Sequence, residues 1–159
     1  MNTVGRTFLE DSRAFLARDY MPKIERCMAA LTQEQIWLRA NEASNSIGNL
    51  ILHLTGSSRY WAVEVIGRSP IGRVRQREFD QRESIPSERL LTDLRRAMAE
   101  VDEVLATLPE AALLETRTNR DEEVPVLWSV YHLVEHFGMH TGQILTMAKA
   151  MVGEVEIEA

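Results

Sequence analysis

The feature that most constrains the fold is the segment 128–151, in which three histidines follow one another at intervals of four residues. Residues four apart lie on one face of an α-helix, so this spacing stacks His132, His136 and His140 in one column. A wide sector of apolar residues runs beside the column. The segment therefore predicts a mostly buried helix whose imidazoles lie at the edge of the core or point into it.

Two histidines one helical turn apart can both reach a single metal ion, as in the helical His-x-x-x-His pair of zinc proteases. The fourth histidine, His53, lies on another apolar segment, where Asn49, His53 and Ser57 form a polar stripe at four-residue spacing. Burying polar groups without partners is costly, so this stripe should have partners or face a cavity. A third ligand from this second helix would complete a metal site.

The alternative to a metal site is a purely structural role. A histidine on an apolar helix face is usually a core residue that is satisfied by hydrogen bonds. Three stacked imidazoles would leave several ring nitrogens unpaired, and a metal ion would satisfy them, because neutral imidazole is a good ligand for Zn, Ni, Cu or Fe. The spacing favours the metal site, and both explanations remain open at this point.

Apolar residues at helical spacing predict three further helices, over residues 5–31, from Asn45 or Ser46 to 66, and from Ser87, as the cap, to 108. Pro22 should kink or interrupt the first helix near Tyr20. The connectors 32–44, 67–86 and 110–126 are long, and Thr32 could cap a short helical turn. The last connector contains a polar turn that could pair briefly as extended backbone, but it predicts no sheet. The expected fold is an all-α helical bundle.

The connector 67–86 mixes positive and negative side chains. One explanation is a solvated loop with surface ion pairs, which is the common case. The other is an anion-binding rim for a substrate. The residues concerned are Arg68, Arg73, Arg75, Arg77, Arg82, Glu78, Asp80 and Glu83.

Composition narrows the class of protein. The 159 residues predict a single domain, 1–159, with a sizeable core. A net charge of −6 argues against nucleic acid or an anionic membrane surface as a partner. The single Cys27 cannot form an internal disulfide and is expected to be a small core residue in a reducing compartment. The start is unlike a secretory signal and no apolar run approaches the ~18 residues that span a bilayer, so the predicted location is the cytoplasm.

Three stretches, YMPKIERC, NEASNSIGNLILHLTGSSRYW and VYHLVEHFGMHTGQI, resemble the DinB/YfiT-like superfamily of metalloenzymes. The resemblance is specifically to a bacterial branch described as a domain of unknown function, and it covers nearly the whole chain. The resemblance implies a four-helix bundle with up-down-down-up connectivity and three histidine ligands. These fall on His53, His136 and His140, because the segment from His140 to Gln143 matches the family's His-x-Gly-Gln ending.

His132 is then an additional imidazole one turn earlier on the same helix. It could hydrogen-bond to one of the metal-binding residues, act as a base in the substrate pocket, or have a purely structural role. The last two roles are favoured. The C-terminal tail 152–159 is predicted to be a loose end or a dimer contact. The broad apolar helix faces and the resemblance both favour a homodimer.

Three nitrogen ligands with an open fourth position describe a catalytic type of site. The resemblance implies a divalent ion, with Zn or Ni preferred, and a metal-dependent transferase that acts on small molecules with a low-molecular-weight thiol such as bacillithiol or mycothiol. A hydrolase-like enzyme is a further possibility within this class. The alternative is a non-catalytic dimeric module that binds metal or ligand. The sequence identifies no catalytic acid or base.

Overall fold

The structure is a computed structural model and describes residues 3–153. It is mostly helical, which confirms the predicted all-α class in its broad sense. The predicted tail contact lies largely outside the described residues. The elements are α1 (Val4–Ala14), a π-helical segment (Phe15–Tyr20), α2 (Met21–Ala30), α3 (Gln33–Trp37), α4 (Ile47–Arg59), a second π-helical segment (Tyr60–Ile66), α5 (Arg75–Asp80), α6 (Ser87–Thr107), a 3-10 turn (Glu110–Leu114), β1 (Thr116–Asn119), β2 (Glu122–Pro125) and α7 (Val126–Val152).

One hydrophobic core lies between the long helices. Helix α4 packs against both α6 and α7, α2 packs against α7, and α1 packs against α6. Each of these elements contributes fully buried side chains; among them are Leu9, Ile51, Leu94, Leu105 and Phe137. Each such side chain contributes roughly 1.5–3 kcal/mol when it leaves water. The core thus fixes the relation of α4 to α7, the two helices that carry the histidines.

Pro22 does not end the first helix. The backbone stays helical at Tyr20 and Met21, and Pro22 lies in the first turn of α2. The predicted disturbance near Tyr20 takes the form of the π-helical segment that ends at this residue. The ring of Tyr20 stacks between Phe15 and Phe137, with centroid distances of 6.0 and 6.2 Å. The widened turn therefore places Tyr20 against α7.

The helix caps only partly match the sequence predictions. Ser46 caps α4 as predicted, and the side chain of Asn49 returns to its backbone to form a capping box. The predicted short turn after Thr32 is helix α3. Ser87 is not a cap, because Pro86 occupies the cap position of α6. The free N–H of Ser87 instead donates to Oε1 of Gln33 at 3.0 Å.

The connector after α6 contains a β-hairpin, so the prediction that no sheet forms here was wrong. Strands β1 and β2 pair antiparallel from Thr116↔Pro125 to Asn119↔Glu122, which leaves a two-residue loop. The four-residue strands are too short for a clear alternating pattern. Tertiary contacts hold the hairpin instead, since β1 packs against the second π-helical segment and Arg117 of β1 is buried there.

No helix within residues 3–153 combines the length and the apolar character needed to cross a bilayer.

Candidate metal centre

The structure brings together three of the four histidines, His53 from α4 and His136 and His140 from α7. Their Nε2 atoms converge: that of His136 lies 3.1 Å from that of His53 and 3.2 Å from that of His140. Two nitrogens bound to one tetrahedral ion at ~2.1 Å are ~3.4 Å apart. The three donors therefore fit a single divalent ion, and they are the residues that the resemblance predicted.

Each of the three rings is held from behind through its Nδ1 atom. The pairs are His53 with Glu78 Oε2 at 2.9 Å, His136 with Ser57 Oγ at 3.2 Å, and His140 with Gln143 Oε1 at 2.6 Å. A partner on Nδ1 fixes the orientation of the ring and, where it accepts the Nδ1 proton, leaves the lone pair on Nε2. Two residues of the predicted polar stripe thus have hydrogen-bond partners, because His53 contacts Glu78 and Ser57 contacts His136.

The acceptor behind His53 is itself part of a nearly buried ion pair. Arg73 donates from Nε to Oε1 of Glu78 at 2.6 Å and from Nη2 to Oε2 at 2.8 Å. Both side chains are only 11% exposed. Burial alone would raise the pKa of Glu78, but the hydrogen bonds from Arg73 and His53 outweigh it and lower the pKa. Glu78 is therefore an anion behind His53, and for this pair the predicted solvated surface contact was wrong.

Two of the rings are kept neutral by their surroundings. Burial, followed by the charges that His140 and His53 would carry, lowers the pKa of His136 to about 3. Burial also lowers the pKa of His140, against the effect of Gln143. Both rings are neutral near pH 7, which is the form that binds metal.

His132 lies outside the cluster. Its ring stacks on Trp128 at 4.9 Å with an interplanar angle of 7° and meets the edge of Trp61 at 4.8 Å. Its Nδ1 is 3.5 Å from Oε2 of Glu135. The ring also lines the cavity beside the cluster, together with His136. It therefore combines aromatic packing with access to the cavity.

A cavity of about 240 Å³ lies beside His53 and His136. Tyr60 and Trp61 form part of its wall, and both lie at the start of the second π-helical segment. Such widened turns occur frequently at functional sites, because they redirect side chains that a regular helix would place elsewhere. A larger cavity of about 710 Å³ contains none of the three clustered histidines in its lining, and its link to them is Gln143.

Several residues of this site gave little signal in the sequence. Glu78 and Arg73 were named only among eight charged residues of a connector with weak periodicity, and their role depends on α5 folding over α4. Asn119 and Arg120 line the cavity from the unpredicted hairpin. Gly56, within the apolar segment of α4, was the one available clue, since a glycine one turn after His53 indicates a close approach by another element.

A helical protein with three convergent imidazoles, two of them on its last helix, has the features of a DinB/YfiT-like protein. The chain belongs to the mycothiol-S-transferase family, whose model matches residues 9–147. This family is part of the DinB/YfiT-like superfamily, so the predicted resemblance is confirmed. No individual curated protein matched the chain.

Proposed function

We propose that this protein is a metal-dependent S-transferase that joins a low-molecular-weight thiol, mycothiol in the first instance, to a small electrophile. His53, His136 and His140 hold the divalent ion, with Zn or Ni preferred. The observation that carries the proposal is the convergence of three Nε2 atoms whose rings are each fixed through Nδ1. The name of the family supplies the thiol.

The reaction forms a bond between the thiol sulfur and an electrophilic carbon while the bond from that carbon to its leaving group breaks. The leaving group departs with the electron pair, as bromide from a bromomethyl compound, and the thiol gives up its proton. Lewis-acid stabilisation of the thiolate is the chemistry that a divalent ion supplies when bound at such a site. Among the residues of the chain, Glu78 orients His53, while Tyr60 and Trp61 bound the space beside the cluster. His132 is our candidate to receive the thiol proton, because it is an imidazole of the same cavity outside the triad.

The connectivity of the helices and the oligomeric state belong to the same proposal. We propose that the long helices follow the up-down-down-up order of the superfamily. We also propose a homodimer, which is supported by large apolar side chains that stay exposed in the single chain. Those on α7 include Leu127, Trp128, Tyr131 and Met139.

The proposal is tested by combining metal analysis with a thiol-conjugation assay. The natively purified protein should contain a divalent ion and should conjugate mycothiol to a bromomethyl electrophile. Removing the ion with a chelator should abolish turnover while far-UV circular dichroism stays helical, because the core is independent of the cluster. Adding Zn or Ni should restore the rate. Undiminished transfer by metal-free protein would refute the mechanism, and metal occupancy without any turnover would indicate the non-catalytic binding module.

A further inference from the structure

The cavity beside the histidine cluster is lined by positively charged side chains. Its wall includes Arg73, Arg75 and Arg120, and none of the described residues that line it is acidic. This contrasts with the chain as a whole, whose net charge is −6. Arg73 is neutralised by Glu78. Arg75 and Arg120 form no ion pair with a carboxylate anywhere in residues 3–153.

Arg75 is held in place by an aromatic ring. Its guanidinium lies over Phe79, one turn further along α5, at 4.9 Å from the ring centroid. The ring of Phe79 in turn packs against His53, with a centroid distance of 4.9 Å. Contact with an aromatic face orients a guanidinium while leaving its N–H donors free. Arg75 is therefore a positioned cation at the edge of the histidine site.

Arg120 occupies a place in the hairpin loop where an arginine is unusual. Its φ is 56°, in the left-handed region that hairpin loops normally fill with Gly, Asn or Asp. The loop is fastened to the cavity wall, because Oη of Tyr60 donates to Oδ1 of Asn119 at 2.7 Å. A side chain that persists in an unfavourable backbone conformation suggests a function. Arg120 is thus a second arginine of the cavity lining that forms no ion pair within residues 3–153.

We propose that Arg75 and Arg120 bind a carboxylate or phosphate group of a reactant beside the histidine cluster. A guanidinium donates two parallel N–H groups to such an anion, which gives geometric selectivity as well as affinity. The enzyme then prefers anionic over neutral reactants. This inference rests on the proposed function for the reaction itself, but binding of the anion can be measured without turnover.

The binding experiment titrates the protein with benzoate and with the neutral benzamide by calorimetry. Benzoate should bind more tightly, and Arg75→Gln and Arg120→Gln should each weaken it about tenfold, as expected for loss of a hydrogen bond to a charged group. Benzamide binding should not change. Arg77→Gln is the matched control, since it removes the same charge from an exposed residue of α5 that does not line the cavity.

Three results of the titration would overturn the inference. These are equal affinity for the two probes, an unchanged benzoate affinity in both cavity variants, or an equal loss in Arg77→Gln. The titration is repeated on metal-free protein, where the preference for benzoate should persist. If the preference depended on the metal, the ion and not the arginines would be the carboxylate site.

A kinetic experiment identifies which reactant carries the anion. It compares 4-(bromomethyl)benzoate with its methyl ester, using mycothiol as the thiol. If the acceptor is the anionic reactant, Arg75→Gln and Arg120→Gln raise KM about tenfold for the acid and leave the ester unchanged. If the thiol is the anionic reactant, both variants raise the KM of the thiol with either acceptor. Failure of the wild-type protein to turn over either compound counts against the proposed function, while the titration still decides the arginine site.

Discussion

Replacing Gly56 by alanine should lower both stability and metal affinity, although Gly56 is not itself a candidate metal ligand. Gly56 lies on α4 one turn after His53, and a Cβ at this position would overlap Oε1 of Glu78 and lie 3.0 Å from Nε of Arg73. Helix propensity alone predicts the opposite effect, since alanine is better than glycine inside a helix by about 1 kcal/mol. The structure predicts that the steric conflict dominates.

The magnitude follows from what has to move. Overpacking a filled site costs about 1–3 kcal/mol, and weakening a hydrogen bond to a charged group costs about 1.5–3 kcal/mol. Glu78 and Arg73 are both 11% exposed, so neither can swing freely into solvent. The two costs together, less the gain in helix propensity of about 1 kcal/mol, give an expected net loss of roughly 1.5–5 kcal/mol in the free energy of unfolding. Losing the carboxylate behind His53 should also weaken metal binding by about 10–100-fold.

Urea unfolding and competition with a chelator for Zn measure the two effects. Gly142→Ala is the matched control, because this glycine lies in α7 and a Cβ there would meet no atom within 4 Å. It should leave metal affinity unchanged and keep or slightly raise stability. Gly56→Ala should cost much less in a Glu78→Ala background, where the overlapping atom is absent. A Gly56→Ala protein with wild-type stability and metal affinity would refute this reasoning.

Further predictions concern the histidines and the assembly. His136→Ala or His140→Ala should abolish metal binding and His53→Ala should weaken it strongly, whereas elemental analysis of His132→Ala should find nearly full occupancy; equal loss in all four variants would mean that the triad is wrongly assigned. His132→Phe keeps an aromatic ring against Trp128, so it should preserve stability but lower kcat if His132 takes the thiol proton, and a wild-type kcat would leave only the structural role. In the metal-free protein the pKa of His136 is lowered to about 3, whereas in the unfolded chain it is about 6.5. Between these pH values the unfolded chain binds a proton that the folded protein does not bind. The free energy of unfolding of the metal-free protein should therefore decrease as the pH falls below 6.5. The full effect would be ~2 kcal/mol at pH 5 and is smaller for this partly exposed ring. His136→Gln should flatten the dependence in urea unfolding, and an identical slope in both proteins would argue against it. Light scattering should report a dimer at micromolar concentration, and a monomer there would contradict that prediction.

The positions of the long helices were largely predictable, because they depend on local periodicity. The apolar spacing in residues 5–31, 87–108 and 128–151 corresponds to helical segments of the structure within a few residues. The predictions failed for features that have no repeating pattern of apolar residues. The hairpin strands are only four residues long. Pro86 and not Ser87 stands at the cap position of α6, and the N–H of Ser87 is bound by Gln33, far away in the chain.

For the candidate site, the sequence by itself determined that His136 and His140 share a helix face, because an i, i+4 spacing imposes that geometry. The assignment of His53 came from a resemblance to a family, and only the packing of α4 against α7 brought its Nε2 to 3.1 Å from that of His136. Gln143 lies on the same helix as His140, but the partners behind His53 and His136 and the cations of the cavity depend on tertiary structure. Glu78 reaches His53 because α5 folds over a glycine of α4, and Arg120 reaches the cavity because a hairpin packs against a π-helical turn. Contacts between distant segments leave no periodic trace in the chain, whereas a helix repeats every 3.6 residues.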